Sequence, residues 1–349
     1  MWIITVRDLQ YRARQFAIAV AGAGLVFAVT LILTGMSAGF RHEARSIVGA
    51  MDADAWIVPP GVTGPFTAQT TMPASLARRL QARRDVLEAH PLAEFSHVAT
   101  LPDGSRENID VLGHDIGQLG DPEWGRGAAR PRPAEAVVDE RLGVHAGDRV
   151  TIGSRRLRIA GVVHDRTYYA GVPVVYLDLR EAQRIGFEGR PLASAILTRG
   201  APRPAPRGLS VRTNADVRED LLTPMDGART AIDLIRVIMW IVAAVIIAAV
   251  TYVSALERVR DFAVLKAVGG SSRTLALSLA VQAVLASLLA ALLGSVLAQA
   301  LAPAFPMPVV IERGVYLALP LIAVVVGVVA SLTALRRAVR VDPALAFAG

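Results

Sequence analysis

Four stretches of the chain run without a single charged residue: Gln15 to Phe40, Val237 to Leu256, Thr274 to Ile311 and Gly314 to Leu335. A helix needs about 20 mostly apolar residues to cross a bilayer, and one central Arg or Asp would cost roughly 2.5–3.5 kcal/mol. The pattern therefore predicts four membrane spans, placed at 16–39, within 230–256, at 274–301 and at 314–335. Residues 55–77 are also uncharged, but Pro59, Pro60, Pro65 and Pro73 with Gly61 and Gly64 would leave backbone groups unsatisfied in lipid. That stretch is expected to be loop.

Between the first two runs the pattern changes. Pro73 to Ala89 predicts a helix, with Leu76, Leu80 and Leu87 on one face and His90-Pro91 as its end. Further on, Val137-Val138, Arg149 to Ile152, Leu157 to Val163 and Val172 to Leu177 suit strands, and Gly153-Ser154 suits a tight hairpin turn. Asp178 and Glu181 have the spacing of a capping box opening a short helix that reaches about Ile185. Residues 40–229 thus form a mixed α+β domain inserted between helices 1 and 2, and Ala201 to Pro206 is a stiff proline-rich connector near its end. After Gly227 no Gly or Pro occurs before Gly269, so one helix of about 60 Å could run through the second span and project as a stalk. Met1 to Tyr11 places Trp2, Ile3, Val6 and Leu9 at helical spacing, which suits an interfacial helix and a simple extension of the first span equally.

Composition fits this division: 53% of the 349 residues are hydrophobic and 19% charged. The net charge of +7 is unevenly spread. Residues 40–226 carry 24 Arg against 24 Asp plus Glu, so the whole excess lies in the membrane-proximal parts. A nucleic-acid binder would need a basic face on its folded domain, so no nucleic-acid partner is expected. Arg7, Arg12 and Arg14 precede the first span, Arg258, Arg260, Lys266 and Arg273 separate the second and third, and Arg336, Arg337 and Arg340 follow the fourth. The positive-inside bias puts segments 1–15, 257–273 and 336–349 in the cytoplasm, and the domain and the 302–313 loop outside. The first run exceeds the usual 7–15-residue core of a signal peptide, which favours a retained anchor over a cleaved leader. With no cysteine, the external domain must hold by its core alone.

The segment Glu257 to Arg273 is the most informative. Val259, Phe262, Leu265 and Val268 recur at three-residue steps, Arg258, Arg260, Asp261 and Lys266 surround them, and Gly269-Gly270 supplies a stop. Such an amphipathic helix could lie on lipid or insert its apolar knobs into a groove of a cytoplasmic partner.

In this segment the chain resembles the FtsX-like and MacB-type permeases of bacterial ABC transporters, whose corresponding loop reads approximately E-R-x-R-E-x-x-x-L-R-A-L-G-A. Glu257, Arg258, Arg260, Leu265, Ala267 and Gly269 agree in position, while Asp261, Lys266 and Val268 are conservative replacements. The tail from Arg336 to Ala344 is similar to the family's R-x-A-x-x-x-D-P-x-x-A-L ending, and the layout of one span, a large external domain and three further spans also agrees. The resemblance implies that Glu257, Arg258, Arg260, Asp261, Phe262, Leu265, Lys266 and Gly269 belong to a coupling helix that docks on an ATPase subunit. It also implies a pair of permease chains, identical or paralogous, that passes ATP-driven motion to the external domains for export or extraction of a substrate. An extracytoplasmic adaptor is a further possible partner. A rival within the family is an FtsX-like regulator of a wall hydrolase, which usually carries a smaller external domain.

Chemistry within the chain is sparse. Lys266 is the only lysine and sits in Val-Leu-Lys-Ala-Val, outside any Gly-x-x-x-x-Gly-Lys-Ser/Thr loop, so ATP and Mg are expected only on the partner ATPase and the chain is not expected to be an enzyme. Gln282 and Gln299 in the third span are assigned to hydrogen bonding between helices. Gly35-Met36-Ser37-Ala38-Gly39 matches the Gly-x-Ser-x-Gly nucleophile pattern, which would make a membrane-anchored serine hydrolase. That elbow joins a strand to a helix, whereas Ser37 ends a membrane run, so close helix packing is the better assignment. His42, His90, His97, His114, His145 and His164 are all external, show no i, i+4 pair and read as surface or structural groups, with no metal expected.

Overall fold

The computed structural model describes residues 13–121, 130–257, 272–305 and 307–339. It divides into two compact units, residues 39–227 and the rest of the chain.

Unit 39–227 is built on β1 (Ala55–Val58), β2 (Met72–Pro73), β3 (Glu88–Thr100), β4 (Arg106–His114), β5 (Glu135–Asp139), β6 (Arg149–Ile152), β7 (Arg155–Val163), β8 (Thr167–Tyr168), β9 (Val172–Asp178), β10 (Leu192–Ala193), β11 (Ala195–Arg199) and β12 (Ser210–Thr213). The main sheet runs β12-β1-β11-β3-β4-β9-β5-β7-β6, and β6 returns to β3 through Ala99 opposite Ile152 and Thr100 opposite Thr151. That last pairing closes six strands into a barrel. Its interior is filled by inward positions at period two: Ala99 on β3, Ile109 and Val111 on β4, Val150 and Ile152 on β6, Leu157 and Ile159 on β7, Val175 and Leu177 on β9. A long β3 makes this possible, because its first half pairs with β11 and its second with β4 and β6.

Local choices support the barrel. Ile152 faces Arg155 across the two-residue turn Gly153-Ser154, and Gly153 adopts φ +58°, a left-handed conformation suited to a tight hairpin. The helix α1 (Ala13–Ala50) ends in this unit, where Ala44, Ile47, Val48 and Met51 enter a second apolar cluster with Trp56, Leu92, Leu112, Tyr168, Val174 and Tyr176. These residues lie on the outer side of one barrel wall, so that wall is buried on both faces. Short helices α2 (Leu76–Gln81), α3 (Leu179–Gly186) and α4 (Asn214–Leu222) complete the unit.

Three expectations change here. The helix foreseen over 73–89 is only α2; residues 82–87 form turns and irregular chain, with Leu87 exposed, and β3 begins at Glu88. Within 55–77, Trp56, Ile57 and Val58 are fully buried in β1, between β11 and β12. Asp178 does cap α3 by accepting from the Arg180 N–H, but Glu181 turns away from the cap to accept from Arg155 and Arg184. A reciprocal capping box forms instead at α4, between Thr213 and Asp216.

In the other unit the helices are α1 up to Ala38, α5 (Asp226–Leu256) from Ala228 on, α6 (Ser272–Leu301) and α7 (Arg313–Val339). All four are long and apolar enough to cross a membrane. Alanine dominates their shared core: Ala23, Ala28, Ala243, Ala283, Ala286, Ala290, Ala291, Ala298, Ala323 and Ala330 surround Phe27, Leu31 and Ile247. In lipid no water is expelled by helix association, so close backbone approach through small residues supplies the attraction. Before α5 a single 3₁₀ turn, Thr223–Met225, holds Pro224, so the 31-residue helix starts afresh at Asp226.

Candidate functional site

The segment predicted to couple to a partner begins where α5 ends. Glu257 is exposed and its N–H donates to the Val253 carbonyl at 3.1 Å, continuing the helical hydrogen bonding by one residue. Arg258, Arg260, Asp261, Phe262, Leu265, Lys266 and Gly269 lie outside the described residues, as does the tail from residue 340. α6 then starts at Ser272.

The helices that carry this segment are fixed by tight contacts. A Cβ at Gly294 of α6 would lie 2.6 Å from Phe27 Cβ and 2.8 Å from the Gly24 carbonyl oxygen of α1. At Gly327 of α7 a Cβ would come within 2.7 Å of Val284 Cα on α6. Gly35 receives the 309–311 segment, with the Val310 N–H donating to its carbonyl at 3.0 Å and a Cβ there falling 2.5 Å from Val309. These glycines let backbones meet where any side chain would hold them apart. Gln299 Nε2 donates to the Tyr316 hydroxyl at 3.2 Å, the interhelical bond expected of it, and Gln282 lines a small gap with Phe16, Ala19, Ile247 and Thr251. Ser37 is buried inside the uninterrupted α1, with no strand leading into it, so the nucleophile elbow is absent and the small residues around it serve packing.

In the unit 39–227 the structure gathers a set of buried acids that the sequence did not single out. Glu94 on β3 accepts from the Tyr168 hydroxyl at 3.2 Å, and Asp110 on β4 accepts from Ser96. Burial holds the Glu94 carboxyl well above the usual range, helped by the Asp110 charge, and pushes Asp110 up to about 6. Near the end of α1, Glu43 accepts from the Thr167 hydroxyl at 2.7 Å and the Ala170 N–H at 3.3 Å, with its pKa raised by burial. Asp220 of α4 gathers the 63–67 loop, accepting from both Thr63 and Thr67 hydroxyls and from the Phe66 N–H at 3.0 Å. Glu43 and Glu94 both bond to the 167–170 segment, and Asp220 ties the 63–67 loop to α4. Their alternation with apolar neighbours, as in Leu92-Ala93-Glu94, was the signal available in the sequence, and it is indistinguishable there from a solvent-facing position.

The histidines are dispersed. His114 is buried 3.1 Å from Asp121, His164 is exposed 2.7 Å from Glu140, and His90 lies 3.6 Å from Asp115. Among the described residues no group of three or more His, Asp or Glu could hold a metal ion.

Residues 16–220 match the family model of the MacB-like periplasmic core domain, and residues 234–343 that of the FtsX-like permease C-terminal region. Over its full length the chain is 42% identical to an uncharacterized ABC transporter permease of Mycobacterium tuberculosis and to one of Mycobacterium bovis, and 40% identical to a further M. tuberculosis permease; 100% of each chain is covered in every case. Among solved structures, the periplasmic region of MacB from Actinobacillus actinomycetemcomitans matches 50% of this chain and 94% of its own length, at 12% identity and a TM-score of 0.34. The extracellular domain of the noncanonic ABC-type transporter YknZ from Gram-positive bacteria matches 43% and 84%, at 12% identity and a TM-score of 0.31.

Proposed function

Because the chain belongs to the ABC transporter permeases of the MacB/FtsX type, we propose that it couples ATP hydrolysis on a separate ATPase subunit to motion of its extracytoplasmic domain, for export or extraction of a substrate. The observation that carries this is the course of α1. It runs unbroken from Ala13 to Ala50, about 57 Å at 1.5 Å per residue, against a hydrocarbon core of about 30 Å. Its last turns are core residues of the domain, so axial displacement of the helix is passed on without an intervening loop. In this proposal Phe262 and Leu265 are the docking knobs of the coupling helix, and Glu257, Arg258 and Arg260 orient it by charge pairs with the ATPase. Asp261 and Lys266 flank the knobs and Gly269 ends the helix. ATP and Mg are held by the partner, and two permease chains, identical or paralogous, act together in the bacterial cytoplasmic membrane with both termini inside.

The test is a Phe262→Asp, Leu265→Asp double variant. It should insert in the membrane at the wild-type level yet lose co-purification with its partner ATPase subunit; unchanged co-purification would sink the docking role.

A further inference from the structure

One stretch of the barrel wall is covered by none of the described residues and is strongly cationic. On its outer face the register sets Arg149 of β6 directly opposite Arg158 of β7, and the next rung sets Thr151 opposite Arg156. Through the closing pairing, Thr151 neighbours Thr100 of β3, which in turn faces Arg106 of β4. Arg132 precedes β5 on the far side of Arg158 and, like Arg106, Arg149, Arg156 and Arg158, is exposed.

Counter-charge on this wall is thin. Among the described residues Glu135 is the one acid in register with these rungs; it receives Arg158 at 3.3 Å and the Arg132 N–H at 3.2 Å. Asp148 and Asp103 lie close by in sequence but accept from the His145 N–H and from Ser105. Among the described residues, Arg106, Arg132, Arg149 and Arg156 have side chains in no ion pair or hydrogen bond. Like charges set directly opposite each other on paired strands oppose folding, and guanidinium forks with unfilled donors match carboxylates. Beside the rungs, Arg130, Arg132, Glu135 and Arg158 rim a cleft of about 700 Å³ whose apolar lining includes the half-buried Ile116 and Ala160.

We infer that this wall, Arg106, Arg149, Arg156 and Arg158 with the adjoining cleft, is a docking surface for an acidic segment of an extracytoplasmic protein partner. The mixed lining selects a protein: a segment carrying both carboxylates and apolar side chains uses the arginines and the apolar cleft lining together. A uniformly charged polymer or a lipid headgroup layer uses only the charges. The assignment goes beyond the ATPase coupling proposed above and rests on that reading only for the extracytoplasmic placement of residues 39–227.

The experiment measures fluorescence anisotropy of a labelled peptide of alternating glutamate and leucine, titrated with the full chain in lipid nanodiscs. Binding should weaken with added salt and fall by about tenfold or more in the Arg149→Ala, Arg156→Ala, Arg158→Ala variant. The corresponding triple lysine variant keeps the charge and should bind within a few-fold of wild type, separating lost charge from lost fold. Polyglutamate, inorganic polyphosphate and phosphatidylglycerol vesicles serve as competitors and should each compete less well than unlabelled peptide. The inference is overturned if wild type does not bind the peptide, if the alanine variant binds it equally, or if polyphosphate or vesicles compete as well as the peptide.

Discussion

Asp110 is buried in the barrel wall beside Glu94 and Tyr168, and its effect on stability has an unusual sign. Most structural carboxylates are held below their ordinary pKa and stabilise the fold when ionised. Here burial, the largest cause, outweighs the hydrogen bonds from Ser96 and Tyr168 and raises the carboxyl from 3.8 to about 6. The folded domain therefore holds a proton that the unfolded chain releases, and the associated stability is complete below about 4 and lost as pH rises through about 6. At 1.36 kcal/mol for each tenfold change in proton affinity, the ionised Asp110 costs up to about 3 kcal/mol at neutral pH. Asp110→Asn keeps the size and an acceptor for Ser96 but never ionises, and it removes the charge that helps raise Glu94. The variant should gain up to about 3 kcal/mol at pH 7.5 and nothing near pH 4. Hydrogen exchange of β3 and β4 amides in the full chain in detergent, corrected for the intrinsic pH dependence of exchange, measures this. Wild-type protection that rises with pH between 4 and 7, or a pH profile unchanged in the variant, would refute the reasoning.

Three further outcomes are expected. Gly294→Val puts a side chain into a gap where even a Cβ would lie 2.6 Å from Phe27, and should destabilise the helix bundle by about 1–3 kcal/mol, read as a lower melting temperature in detergent. Thr213→Val removes the α4 cap, whose partner Asp216 is held below the usual carboxylate range by the Thr213 N–H; a loss of about 1 kcal/mol of local protection at α4 is expected, and no change would show that Trp56 and Asn214, bonded at 2.7 Å, hold the junction alone. Since the chain has no cysteine, single cysteines at Ser105 and at Arg273 can report orientation directly. A membrane-impermeant maleimide should label the first in intact cells and the second only after permeabilisation, and the opposite pattern would invert the topology.

What the sequence made legible follows from how local each signal was. The hairpin β6–β7 was evident because apolar residues alternate with arginine or threonine around a two-residue turn, and the strand β9 because a run of valines, tyrosine and leucine ends at the helix cap Asp178. β1 was not, because Ala55 to Val58 is buried on both faces and shows no alternation, leaving only the following prolines as a signal. β3 was missed for the opposite reason. Its Glu94 and Ser96 look like solvent positions, and His90-Pro91 looks like a break, yet Pro91 fits opposite Ile196 where β3 pairs with β11. Buried acids such as Glu94 and Asp110 become visible only when distant strands bring Tyr168 to them.

The course of α1 shows the same limit at larger scale. The apolar run stops at Phe40, and Arg41, His42, Glu43 and Arg45 follow at once. The helix nevertheless continues, because Ala44, Ile47, Val48 and Met51 form a new stripe at i, i+3, i+4 and i+7 that faces the cluster containing Trp56 and Tyr176 instead of lipid. Glu43 is buried at the start of that stripe and bonded to Thr167, so the first acid after the membrane run is a clamp within the domain. Hydropathy alone registers the change of solvent and not the persistence of the helix. That persistence is the property on which the coupling proposed above relies: each helical residue adds a backbone hydrogen bond, whereas a loop at position 40 would absorb the displacement it receives.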